Sequence, residues 1–110
     1  MSKVITSPVK RFSGTVTLQD PLYYPQDMAM REALAAAKAL GQEATLLEYN
    51  HAMLAGILKC VEECNLKDVL PHPTADTFPT TPGESATRLT AWLIAEVVKL
   101  YQEGDEIPNA

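Results

Sequence analysis

Cysteine is scarce in this sequence: Cys60 and Cys64 are the only two among 110 residues. They stand four apart in a stretch that reads as helix, about 5–6 Å apart at Cβ, which is longer than a relaxed disulfide allows. A disulfide scaffold is therefore not expected, and a reducing compartment fits. Positive charge is also in deficit, with nine Lys and Arg against 14 Asp and Glu and a net charge of −5. Gripping a duplex backbone requires a basic footprint, so nucleic acid is not an expected partner. No apolar run approaches the ~20 residues of a membrane span, and no basic, apolar and small-residue leader opens the chain. The five glycines form no G-x-G-x-x-G or G-x-x-x-x-G-K loop, so a phosphate cradle is missing. A G-x-S-x-G nucleophile elbow is missing too. What remains is one cytoplasmic domain, 46% hydrophobic and 21% charged, an ordinary globular balance in a chain long enough to bury a core.

The chain begins with a period of two. Phe12, Gly14, Val16 and Leu18 fall on one face and Arg11, Ser13, Thr15, Thr17 and Gln19 on the other, the signature of a half-buried strand. Val4, Ile5 and Thr6 suit a partner strand, within the chain or from a neighbour, and residues 1–20 form the β region. Gly14 marks a bulge or a close backbone approach. The period then changes. A first helix is expected over 25–40, with Pro25 at its first position, Asp27 in its first turn and Gly41 stopping it. Its apolar stripe is Met30, Ala33, Leu34, Ala37 and Leu40. Thr45 and Glu48 have the spacing of a capping box, so a second helix is expected over 45–64, burying Leu46, Met53, Leu54, Ile57, Leu58 and Val61. The short link makes these two helices antiparallel neighbours.

Half of the chain's eight prolines lie in 65–82: Pro71, Pro73, Pro79 and Pro82. Residues 65–81 are thus a Pro-rich loop, anchored to the core by Leu66, Val69, Leu70 and Phe78. A second capping box, Thr81 with Glu84, opens a third helix over 82–103, stopped by Gly104. Leu89, Trp92, Leu93, Val97 and Leu100 share one face, extended by Ile94, Val98 and Tyr101, which makes the helix central or partner-binding. The fold class is α+β, mainly α: an N-terminal strand or hairpin and three helices in a single domain, 1–110.

Candidate chemistry is thin. Cys60, Cys64, His51 and His72 are zinc-type ligands, but their spacing is not that of a knuckle. The cysteines read better as small apolar side chains. His51 stands at the border of an apolar helix face without a nucleophile or an orienting acid on its own side. The carboxylates Glu48, Glu62, Glu63, Glu96 and Glu103 are scattered as on a solvated surface. No catalytic residue, metal or cofactor is expected. Apolar surface is the surplus feature. Small residues on the first helix (Ala29, Ala33, Ala36, Ala37) and the second (Ala52, Ala55, Gly56) serve either tight internal packing or a shallow groove for a partner helix.

The run Lys10-Arg11-Phe12-Ser13-Gly14-Thr15-Val16-Thr17-Leu18, followed by Asp20-Pro21-Leu22 and Pro25-Gln26, resembles the opening of the small tail assembly chaperones of tailed phages and prophages. The alanine-rich helix after it and the closing helix with Leu89, Trp92 and Leu93 are similar as well. The resemblance covers most of the chain and is one of pattern. It implies a protein that coats the long apolar tape measure protein, keeps it soluble, helps tail tube protein assemble around it and is absent from the finished virion. It also implies self-association in the bacterial cytoplasm and, in many relatives, a longer frameshifted form. On this reading Met53, Trp92, Leu93 and Tyr101 are the candidate contact residues. Two rival expectations are a head–tail connector or tail accessory protein retained in the virion, and a small metal-binding enzyme.

Overall fold

The computed structural model describes residues 2–79 and 83–105. It is an α+β fold, mainly α, in which a three-stranded antiparallel sheet and three helices enclose one core. Strand β1 (Ser2–Thr6) and strand β2 (Gly14–Gln19) form a hairpin whose link carries a 3-10 turn at Lys10–Phe12. Ser2 lies opposite Gln19 and Thr6 opposite Thr15. The partner of Val4, Ile5 and Thr6 is therefore within the same chain. The alternation expected for β2 holds, with Val16 and Leu18 buried and Thr15 and Thr17 half-buried.

Helix α1 (Tyr24–Ala39) follows. The Gln26 side-chain oxygen accepts from the Tyr23 N–H at 3.1 Å, which satisfies one donor at the helix start. Leu40 closes the other end, and Gly41 takes the left-handed φ of +79° that the chain needs to leave the helix. Helix α2 (Leu46–Ile57) opens with the expected capping box. The Thr45 hydroxyl accepts from the Glu48 N–H at 3.1 Å, and Glu48 accepts from the Thr45 N–H at 3.1 Å. α1 and α2 pack closely because their contact is made of small residues. A Cβ at Gly56 would come within 2.6 Å of both the Ala29 carbonyl oxygen and the Ala33 Cβ, so tight internal packing is one use of the small residues.

The end of α2 differs from the expectation of helix to residue 64. The helix stops at Ile57, a 3-10 turn spans Leu58–Cys60, and Val61–Leu66 is strand β3. β3 pairs antiparallel with β2, Gly14 opposite Leu66 and Val16 opposite Cys64, with an irregularity between Thr17 and Leu18. The physical reason is non-local. β2 has a second edge whose N–H and C=O groups need partners, and a chain able to supply them outweighs a weak local helix preference. Once paired, Cys64 and Leu66 point into the core while Glu63 and Asn65 face solvent. The cysteines therefore sit on a turn and a strand rather than one helix, free and buried.

Gly14 makes this pairing possible. Its φ is +135°, and a Cβ there would collide with the Asn65 carbonyl oxygen, so the close approach expected at this position is between β2 and β3. Beyond β3, the Lys67 N–H donates to the Ser13 carbonyl at 2.9 Å. The loop then runs from Lys67, two residues later than expected. Phe78 anchors it in the core and Val69 is half-buried, but Leu70 is exposed at 56% and anchors nothing. Thr90, wholly buried, donates its hydroxyl to the Pro79 carbonyl at 2.6 Å. The capping box proposed at Thr81 lies outside the described residues. Helix α3 spans Glu84–Asp105 and so passes the glycine expected to stop it.

Gly14→Ala is expected to lower folding stability by at least about 2 kcal/mol, since it adds strain at a positive φ and a clash with backbone that has nowhere to move. Urea denaturation would check this through a lower midpoint at an unchanged slope.

Candidate functional site

The four residues singled out as contacts on sequence grounds are not a surface. Met53 and Leu93 are sealed in the core at 0% and 1% exposure. Trp92 and Tyr101 are half-buried and pack against that core. The broad apolar face of α3 is used internally: Leu89, Leu93, Ile94, Val97 and Leu100 are all buried, and α3 packs against α2 and the turn at Lys10–Phe12. A breadth that suggested a partner is explained by two neighbours within the monomer.

Most of the exposed large apolar residues lie instead around the α1–α2 hairpin, with Val4 on β1 and Leu70 on the loop exposed as well. Leu40 ends α1 at 39% exposure, and Leu46 and Leu47 open α2 at 61% and 45%. Tyr49 follows on α2, and Tyr23, Tyr24 and Met28 lie at the start of α1, all exposed. Leu40 and Leu46 were expected to be buried, as the end members of their stripes. They are exposed because each stripe runs on past the last neighbour that could cover it. The sequence signal is the position of these leucines directly beside the short inter-helix link.

Leu40, Leu47 and Ala52, with Glu48 and His51 on the border, line a depression of about 460 Å³ at this tip. It continues, through the shared Ala52, into a shallow groove of about 370 Å³ between α1 and α2, lined by Ala29, Ala36 and Ala55 among others. The groove and the tight helix contact thus coexist, the one directly outside the other.

The polar border is orderly. Glu48 is held below its ordinary carboxylate value, first by the Thr45 backbone N–H and then by the Thr45 hydroxyl. His51 Nε2 lies 2.9 Å from Asp76 Oδ1, which ties the Pro-rich loop to α2 beside the depression. The Asp27–Arg31 pair, one helical turn apart at 2.8 Å, is a surface contact of α1. His72 is exposed on the loop, whereas Cys60 and Cys64 are buried.

Thiol chemistry is suppressed. Burial pushes the Cys60 thiol up to about 12, and its sulfur lies 3.7 Å from the Gly56 carbonyl. Burial raises Cys64 too, partly offset by a backbone hydrogen bond at Leu66. Among the described residues no three His, Cys, Asp or Glu side chains gather as a metal site, and no helix is long and apolar enough to cross a membrane. His51, His72, Cys60 and Cys64 are accordingly not brought together. Comparison with protein-family models, curated proteins and solved structures finds no match.

Two outcomes follow from this geometry. In the folded protein both thiols are expected to react at least about a hundredfold more slowly with an aromatic disulfide than in denaturant, because the thiolate is the reactive form; a stopped-flow thiol assay measures this. The Glu48 carboxylate, whose value is depressed on folding, stabilises the fold above its unfolded value near 4.5 and ceases to do so as pH falls through the folded value. NMR titration should place the Glu48 midpoint below that of an ordinary glutamate and move it upward in Thr45→Ala.

Proposed function

We propose that this chain is a non-enzymatic phage tail assembly chaperone that binds apolar helical segments of a tape measure protein in the bacterial cytoplasm and assists assembly of tail tube protein around them. The observation that carries the reading is the open apolar tip of the α1–α2 hairpin, where Leu40 and Leu47 border a depression beside the exposed Leu46. Isolated exposed leucines are ordinary on a protein surface, but clustered ones mark contact surfaces. An apolar depression leading into a helix–helix groove suits the helix-in-groove mode, in which leucine-type anchors of a client enter pockets between two helices. Such work requires no catalytic group, and the chain's acidity favours solubility of a complex with a greasy partner. The pattern from Lys10 to Gln26 and the alanine-rich α1 support the same family.

The client surface is thus assigned to the hairpin tip and no longer to Met53, Trp92, Leu93 and Tyr101. Leu40→Asp combined with Leu47→Asp should abolish co-elution with a co-expressed tape measure protein on size-exclusion chromatography, a loss of at least about a hundredfold in affinity, while far-ultraviolet circular dichroism stays unchanged. Co-elution at wild-type level would overturn the assignment. Mass spectrometry of purified virions should not find the chain; finding it there in stoichiometric amount would favour a head–tail connector or tail accessory role.

A further inference from the structure

Among the described residues β1 is an edge of the sheet, and the phase of its hydrogen bonds fixes which backbone groups are left over. The Ser7 N–H donates to the Gly14 carbonyl at 3.0 Å, in register with Thr6 opposite Thr15. Bonded and non-bonded pairs alternate along an antiparallel ladder. Lys3 and Ile5 therefore bond to β2, whereas Ser2, Val4 and Thr6 turn their N–H and C=O groups away from it. Pro8 follows without an N–H, so the row of donors ends at Thr6. Among the described residues no other segment is hydrogen-bonded to this edge, and the Val4 side chain is 62% exposed. Such an edge is a template for one more strand.

Charge around the edge selects the kind of segment. Residues 2–19 contain Lys3, Lys10 and Arg11 and no Asp or Glu, in a chain of net charge −5. Arg11 lines a depression with Asp68 and Glu84, but Lys3 and Lys10 are in no ion pair among the described residues. Lys3 is half-buried and, by the alternation of a strand, shares a face with the buried Ile5. A partly buried charge is screened less by salt than an exposed one. The Glu62 carboxylate accepts from the Ser2 hydroxyl, which belongs to the opposite face. The other edge strand, β3, exposes Glu62 and Glu63 and would repel an acidic segment.

We propose that the β1 edge binds an extended acidic segment of a partner protein as a fourth, antiparallel strand. The residue opposite Lys3 is Asp or Glu, which supplies that lysine with a counter-charge. Opposite Val4 stands a β-branched apolar residue that packs on the exposed Val4 side chain, and opposite Ile5 an apolar one that continues the core-side face. Main-chain hydrogen bonds to Val4 and Thr6 hold the segment, while the side chains opposite Lys3 and Val4 select it. The edge belongs to the sheet and not to the α1–α2 tip, so the inference stands whether or not a tape measure protein is the client.

An NMR titration of the full chain with the end-capped peptide Glu-Thr-Val-Val-Glu-Thr, up to about 2 mM, tests it. In the antiparallel register its second residue lies opposite Thr6, its fourth opposite Val4 and its second glutamate opposite Lys3. Saturable binding is expected, with hydrogen exchange of the Val4 and Thr6 amides slowed at least about tenfold near saturation. The amides of Lys3 and Ile5, already bonded to β2, should change less. The same peptide N-methylated at its second and fourth residues should not bind, because those two amides donate to the edge. Lys3→Glu should weaken binding at least about fivefold, and a peptide with lysine in place of the second glutamate should restore it in that variant. Absence of binding overturns the proposal. So does equal binding of the N-methylated peptide, or of the lysine peptide to the unaltered chain. Concentration-dependent protection of Val4 and Thr6 without peptide would show a second copy on the edge and overturn it too.

Discussion

The pairing of β2 with β3 is the constraint on which the rest of the structure depends. β2 is central, so both of its edges must find hydrogen-bond partners. β1 supplies one through a hairpin, a local event. The other comes from residues 61–66, more than 40 positions along the chain, and reaches its place only because Gly14 lets the Asn65 backbone come in close. This pairing folds the α1–α2 hairpin back onto the sheet. It also turns Cys64 and Leu66 inward beside Val16 and Leu18, which completes the apolar surface that α3 then covers.

That closure decides what is left exposed. Once the sheet, α2 and α3 share one core, the broad stripes of α2 and α3 are consumed where they overlap. Apart from Val4 on β1 and Leu70 on the loop, the large apolar side chains left in contact with water lie on or beside α1 and α2, where these helices overhang the core. The tip at Leu40, Leu46 and Leu47 is such an overhang, and the alanine groove beside it is the outer side of a helix pair held close by Gly56. The exposed apolar surface at this tip is thus a by-product of helices longer than the core they serve.

The same packing gives several of the ionisable groups a structural use. Cys60 and Cys64 are desolvated, which holds the proton on sulfur. His51 is committed to Asp76 across a surface loop. The carboxylate with a resolved shift, Glu48, is bound to its own helix start and serves the cap. Each titratable group whose surroundings are distinctive has a structural use.

Much of this could be read from residues alone, because it rests on local rules. Period two at residues 12–19, the Thr45–Glu48 cap, the stop at Gly41 and the helical stripe after Glu84 each depend on side chains a few positions apart, and together they define an α+β domain with three helices. The strand at 61–66 could not be read that way. Val-Glu-Glu-Cys-Asn-Leu satisfies a helix or a strand locally, and the free edge of a distant strand decided between them. Nor could the sequence say which leucines would be covered: Met53 and Leu46 occupy the same stripe of α2, one sealed and the other bare. Burial belongs to the neighbours that tertiary structure brings, and a stripe on one helix carries no record of where those neighbours end.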